Sequence, residues 1–310
     1  MTKPRPVLLT GATGRLGVEL VKLLPAHNLA PVLTPTRQQL DVTLPGQVMS
    51  FVQLHKPRLI IHAAAFTDVV AAESNKELAW TTNVQGTQHV AAAAKAVAAK
   101  LLHISTDYVF SGLEPAEARH STNPVAVPSV APGAADRVAA DPAAVDRVTA
   151  EGDTASAPTL SLADQVHGAT NGRYMEDDPL GPPINYYALT KIAAEEAARA
   201  VKGSLVVRTS FRAREWPYER AFTDVFTSQD YVDVIAPLLA EIAGRYDDDQ
   251  VPYGTVHVGT ERKSVFELAR RRAPGVVAAS RHSAAVRLPA DVSLNLSRWL
   301  AMRNEWARGS

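Results

Sequence analysis

The stretch VLLTGATGRLG, residues 7–17, is the one from which the fold can be read. An apolar run ends in Thr10, three glycines follow at G-x-x-G-x-x-G spacing (Gly11, Gly14 and Gly17), and RLGVELVKLL (15–24) continues with helical apolar spacing. Strand, glycine turn and helix in that order make the phosphate end of a βα unit. The glycines let the backbone turn tightly and come close to a pyrophosphate, while the helix N-terminus supplies N–H donors and the positive end of a dipole. A plain tight βα turn can also be rich in glycine, but here the flanking strand and helix that the nucleotide-binding motif needs are both present. Gly11, Thr13, Gly14, Arg15, Leu16 and Gly17 are therefore candidate dinucleotide contacts.

Outward from this turn, short apolar runs alternate with helical patterns. LAPVLT (29–34), RLIIHAAA (58–65) and LLHISTDY (101–108) read as strands, and GQVMSFVQLH (46–55) and an Ala-rich stretch at 74–100 as helices. Such alternation implies βαβ crossovers and a parallel sheet, whose strands are buried on both faces and so read as continuous apolar runs. A further helix is expected over 185–201, a fifth strand over SLVVRTSF (204–211), and mixed elements to the end.

The bulk composition fits this class. The chain has 310 residues, 46% hydrophobic and 21% charged, with a formal net charge of zero. A nucleic-acid or membrane-surface binder would show a basic excess. Without cysteine there is no disulfide, thiolate metal site or Cys nucleophile. No cluster of His and carboxylates has metal-site spacing, so no metal is expected. The start, MTKPRP running into the first strand, leaves no room for a signal peptide, and no stretch is apolar enough to span a bilayer; a cytoplasmic location is the expectation.

Residues 113–170 interrupt the pattern: 58 residues with 15 Ala and 6 Pro and no Phe, Trp, Tyr, Ile or Met. A segment of this kind can bury little apolar area against its ordering entropy. It reads as a disordered insertion, with a lid or interaction arm as the alternative.

Two features bear on chemistry. After the second strand, Thr36-Arg37 stand where an acid would hold the ribose 2′-hydroxyl of NAD. A guanidinium there suits a 2′-phosphate and favours NADP, with NAD as the alternative, although an exposed surface arginine is common. Asp41-Val42 are placed for the adenine edge, or Asp41 caps a turn. In YALTK, Tyr187 precedes Lys191 by four residues, one face of a helix. A nearby ammonium would lower the phenol pKa and make it a proton donor; an amphipathic surface helix would show the same spacing. Tyr186 competes, but its i+4 residue is Thr190.

GATGRLG, HAAAFTDV, STDYVF and YALTK occur in the order seen in extended short-chain dehydrogenases/reductases, and the chain resembles most closely the dTDP-4-dehydrorhamnose reductase family, over about 6–112 and 171–211. The resemblance implies an α/β fold, a doubly wound parallel (Rossmann) sheet with a small, shortened C-terminal substrate lobe. It implies an NAD(P)-binding domain over 1–210, interrupted by the insertion, and a lobe over 211–310. Thr106 then resembles the hydroxyl that binds the substrate carbonyl, Tyr187 the general acid, and Lys191 the residue that holds the nicotinamide ribose. Ala63, Ala64, Ala65, Thr67, Asn83 and Ser105 take cofactor-side positions. Val109, Phe110, Arg208, Phe211 and Trp216 take substrate-side positions.

The implied activity is NADPH-dependent reduction of the 4-keto group of a nucleotide-linked deoxysugar. The expected partner is the nucleotide sugar, with a homodimer possible and neither nucleic acid nor membrane. A non-catalytic NADP-binding subunit of a partner enzyme, or a reductase of another carbonyl, are the alternatives. The sugar-nucleotide dehydratases of this superfamily have Asp-Glu after the hydroxyl, whereas Asp107-Tyr108 follow Thr106 here. Two departures affect the substrate side: Val70-Ala71 replace an acidic-basic pair, and the region after RTSF is short. Trp216, Tyr218 and Arg220 could rebuild the pocket for a base and a diphosphate, or Trp216 and Tyr218 could simply pack; Arg262 and Lys263 could hold a phosphate or begin a solvated helix. His103 is expected to be a buried core histidine.

Overall fold

The structure, a computed structural model, describes residues 5–113 and 172–308. Apart from Leu113, the Ala- and Pro-rich insertion lies outside the described residues.

The first unit is β1 (Val7–Thr10), α1 (Arg15–Leu23) and β2 (Val32–Leu33). Then come α2 (Pro45–His55), β3 (Leu59–His62), α3 (Val69–Ser74), α4 (Lys76–Trp80), α5 (Gly86–Ala96) and β4 (Lys100–Ser105). After the insertion follow α6 (Tyr186–Arg199) and β5 (Leu205–Arg208), and, further on, α7 (Val232–Asp247) and β10 (Gly254–His257). The six strands form one parallel sheet in the order β10-β5-β4-β3-β1-β2. Strand order reverses between β1 and β3, and the crevice beyond the C-terminal ends at such a point is where ligands bind.

Alternate residues face opposite layers, and both are apolar, as parallel strands require. Leu8, Ile60, Leu101 and Val206 pack with Val48, Val52 and Val90 on one side. Leu9, Ile61, Leu102 and Val207 pack with Leu16, Leu20, Ile235 and Leu239 on the other.

The Ala-rich stretch expected as one helix is interrupted. Between α4 and α5 the backbone makes a π-type turn at Thr81–Gln85, which turns Asn83 into the interior. Bulges of this kind recur at functional sites because they redirect one side chain without ending the helix.

The sheet does not end at the expected boundary of residue 210. α7 buries Ile235, Ala236, Leu239, Ala240 and Ala243 against the face that α1 covers, and β10 adds the outer strand beside β5. The lobe is made instead of short pairs: β6 (Phe211–Arg212) with β9 (Asp230–Tyr231), β7 (Arg220–Phe222) with β12 (Val277–Ala279), and β8 (Phe226–Thr227) with β11 (Lys263–Ser264). α8 (Val265–Arg270) completes it, whereas α9 (Ser297–Arg308) buries Trp299 and Met302 in the core that α7 shares with the sheet. Among the described residues no helix is long and apolar enough to cross a membrane.

Candidate active site

One cavity of about 1300 Å³ runs from the glycine turn along the C-terminal ends of β1, β3 and β4 to the segment 209–229. It is lined by Gly11, Thr13, Gly14, Arg15, Leu16, Gly17, Arg37, Asp41, Val42, Ala63, Ala64, Ala65, Thr67, Ser105, Thr106, Tyr187, Lys191, Phe211 and Trp216. These expected residues are thus brought to one space from six parts of the chain.

At the glycine end, Gly11 has φ +72, and a Cβ there would lie 2.7 Å from the Ala64 nitrogen; one on Gly17 would lie 2.1 Å from the Gly11 carbonyl oxygen. Side chains are therefore excluded, and the turn stays flush with the start of α1. No side chain caps that helix. A concave backbone with free helix N–H groups is the cradle a dinucleotide pyrophosphate needs.

Beyond β2, Arg37 Nε donates to Asp41 Oδ2 at 3.1 Å, so one edge of the fork is used and its terminal amino groups are left for a ligand. Burial raises the Asp41 carboxyl, but hydrogen bonds from Thr43 and Arg37 outweigh it and hold the group below the ordinary range.

At the reaction end, α6 begins with Asn185, whose Oδ1 accepts from the Ala188 N–H at 2.8 Å. This cap fixes the helix start so that Tyr187, Lys191 and Glu195, one turn apart, face β4. Lys191 Nζ donates to the Ile104 carbonyl at 2.9 Å, Ser105 Oγ donates to Glu195 Oε1 at 2.5 Å, and Tyr187 hydrogen-bonds with Thr106. Three successive helix turns thus grip three successive residues at the strand end. Burial pulls the Lys191 ammonium down to about 8, with Glu195 opposing it. The expected depression of the Tyr187 phenol by Lys191 does not occur. Burial dominates and pushes the phenol up, against the pull of the Thr106 hydrogen bond. The phenol is consequently fully protonated at neutral pH, the state a proton donor needs.

Asp107 is buried beneath this site and accepts from Thr106 Oγ1 at 3.0 Å and Thr227 Oγ1 at 3.1 Å. Burial lifts its carboxyl from the ordinary 3.8 to about 6, against hydrogen bonds from Thr106, Thr227 and Ser210 and the charge of Arg212. A folded-state pKa above the unfolded value means the folded protein holds more protons in that window. The contribution of Asp107 to stability therefore falls as pH rises through it. Urea midpoints of the parent and Asp107→Asn proteins are expected to shift relative to each other between about pH 4 and 7, in favour of the variant at the higher pH. A gap constant with pH would show that Asp107 does not titrate there.

Four expected residues lie elsewhere. Asn83 is buried outside the cavity lining: its Oδ1 accepts from the Phe66 N–H at 2.7 Å and its Nδ2 donates to Thr190 Oγ1 at 2.9 Å. It ties the loop after β3 to α6 and touches no cofactor space. Val109 and Phe110 turn away because Thr106 Oγ1 accepts from the Tyr108 N–H and starts a 3-10 turn over Asp107–Val109. Both then join a core with Val292, Leu294 and Leu296, Phe110 stacking on Tyr174 at 4.1 Å. Arg208 is 1% exposed and bound to Glu195 through Nη2 at 2.9 Å and Nε at 3.0 Å, and to the Glu176 carbonyl. It is an interior counter-ion rather than a substrate contact.

Trp216 both lines the cavity and packs with Ala221, Val225 and Val265, its ring 5.5 Å from that of Tyr218. Arg220 and Tyr218 line the cavity as well. Arg262 and Lys263 hold no free phosphate site: Arg262 pairs with Asp291, and the buried Lys263 with Asp230 and Glu261. His103 is a buried core histidine beside His62, ring centroids 5.4 Å apart. Among the described residues no group of His and carboxylates could hold a metal. Sequence reasoning missed Glu195, although it continues the i, i+4 series from Tyr187, and Arg212, for which nothing local speaks.

Residues 5–130 match the family model described as the RmlD substrate binding domain. The dTDP-4-dehydrorhamnose reductase of Streptomyces griseus is 45% identical over 124 residues, 39% of this chain and 40% of that protein. The crystal structure of dTDP-4-dehydrorhamnose reductase from Bacillus anthracis in complex with NADP superimposes with a TM-score of 0.69 at 25% identity, over 97% of this chain and 92% of that one.

The chain is similar to the dTDP-4-dehydrorhamnose reductases.

The sequence match to the curated relatives spans about two-fifths of their length. UDP-glucose 4-epimerase from Thermus thermophilus, solved with NAD, shares the fold at 17% identity and a TM-score of 0.64, over 97% of this chain and 93% of that one. The doubly wound parallel sheet is thus common to reductases and epimerases, and the choice between activities has to come from the site.

Proposed function

We propose that the protein is an NADPH-dependent reductase of the 4-keto group of a nucleotide-linked deoxysugar. The observation that carries this is the convergence of Thr106, Tyr187 and Lys191 in the cavity that begins at the glycine turn. The names of the similar reductases support the substrate class.

The residues present fit a nicotinamide dinucleotide. Gly11, Gly14 and Gly17 take the pyrophosphate on bare backbone, Arg37 takes the 2′-phosphate on its unused amino groups, and the alanines at 63–65 form a flat wall. When bound, the cofactor supplies the hydride. Thr106 and the Tyr187 phenol hold the carbonyl oxygen, and Tyr187 gives it a proton as charge develops. The Lys191 ammonium, one helical turn away, spends one N–H on the Ile104 carbonyl and keeps others for the ribose hydroxyls. With Asp107 followed by Tyr108, the second carboxylate used by dehydratases is absent, which favours simple reduction.

The reading is tested by following NADPH oxidation with a dTDP-4-keto-6-deoxysugar, with NADH alongside. No oxidation of NADPH by that substrate would overturn it. Arg37→Ala is expected to raise the KM for NADPH about tenfold or more and to leave that for NADH nearly unchanged, since a charge-assisted pair to phosphate contributes about 1.5–3 kcal/mol. Equal effects on both cofactors would remove Arg37 from 2′-phosphate recognition.

A further inference from the structure

On the wall opposite the glycine turn, three donors stand close together in sequence without partners. The Thr209 hydroxyl, Arg212 Nε and Trp216 Nε1 are all buried and make no hydrogen bond. All three residues line the cavity that holds Thr106 and Tyr187. Buried donors left unpaired are costly, more so on a charged group, and native structures rarely keep several together.

Most arginines around Arg212 are spent, although the exposed Arg220 likewise forms no ion pair among the described residues. Arg208 is paired with Glu195, Arg214 with Glu19, Arg262 with Asp291 and Arg272 with Asp233. Among the described residues no carboxylate forms an ion pair with Arg212; its guanidinium lies 5.6 Å from the Trp216 ring centroid. Asp107 feels its charge but is occupied by Thr106 and Thr227 and is itself pushed towards neutrality. β6 fixes the position, pairing Arg212 with the buried Tyr231 of β9. A guanidinium and an indole N–H can only donate, so their complement is acceptor-rich, and the positive charge makes it an anion.

We propose that Arg212, with the Trp216 indole and the Thr209 hydroxyl, forms an oxyanion subsite in the cavity that holds Tyr187, and that the substrate reduced there seats a phosphate or carboxylate group on it. This rests on the reductase reading and names the anchoring group of its substrate.

The test is equilibrium binding to the full chain saturated with NADPH, using three probes: dTDP, D-glucuronate and uncharged thymidine. One charged probe is expected to bind more tightly than thymidine. Its Kd should rise about ten- to a hundredfold in Arg212→Gln, the loss expected for a charge-assisted hydrogen-bonded contact. Arg212→Lys should recover part of the loss, because it keeps the charge without the fork. NADPH affinity, unchanged in both variants, reports that they are folded. A dTDP effect assigns the subsite to a nucleotide diphosphate, and a glucuronate effect to an acid on the sugar. Equal affinities of parent and Arg212→Gln for both charged probes, or no preference for either over thymidine, would overturn the proposal. Arg212-dependent probe binding in a protein that reduces no keto-sugar would instead overturn the reductase reading and leave the subsite standing.

Discussion

Tyr187→Phe is expected to bind NADPH as the parent does and to turn over about 10²–10⁴ times more slowly, the range for loss of a positioned general acid. The substitution removes one oxygen and leaves the ring where it packs, in the cluster with Ala72, Ala79 and Tyr186 and edge-on to Tyr108 at 6.0 Å. Cofactor affinity and stability should therefore be nearly unaffected. Fluorescence titration with NADPH and single-turnover oxidation separate the two quantities. A turnover loss below about tenfold would dismiss Tyr187 as the proton donor and turn attention to water or Asp107.

Glu195→Ala is expected to cost about 3–5 kcal/mol of stability, the range for removing one partner of a buried ion pair. That is a large share of the 5–15 kcal/mol that holds a typical domain folded. The carboxylate is fully buried and accepts from Arg208, Arg199 and Ser105. Without it the Arg208 guanidinium keeps only the Glu176 carbonyl and a long contact to His257. The urea midpoint measures the loss. A double variant, Glu195→Leu with Arg208→Met, should recover much of it, since the penalty lies in the unpaired charge more than in the missing contact. A loss under about 1 kcal/mol in the single variant would show that Arg208 is adequately held by neutral partners.

The glycine turn was legible because its requirement is local: the turn, the helix start and the close approach to Ala64 fall on Gly11, Gly14 and Gly17 alone. Tyr187 and Lys191 were legible because four residues make one helical turn. The reading failed where the chain changes direction. The fourth strand was read to Tyr108, past its end at Ser105, and the resemblance put Val109 and Phe110 on the substrate side, whereas Thr106 starts a tight turn that sends both into a different core. Arg208 failed for another reason. A strand-end arginine near a site looks like a ligand contact unless its counter-ion is known, and Glu195 lies on another element.

By itself, the sequence determined the class of fold, the glycine turn after β1 and the placement of Tyr187 and Lys191 on one helix face, since each of these follows from periodicity or turn chemistry within a few neighbouring residues, whereas Thr106 was singled out only by the family resemblance. Tertiary structure alone decided which charges are spent and which are free. Arg208 and Arg212 stand four positions apart, yet one meets a buried carboxylate from α6 and the other meets an open cavity. That difference depends on what distant elements bring within about 3–4 Å, and no local pattern encodes it.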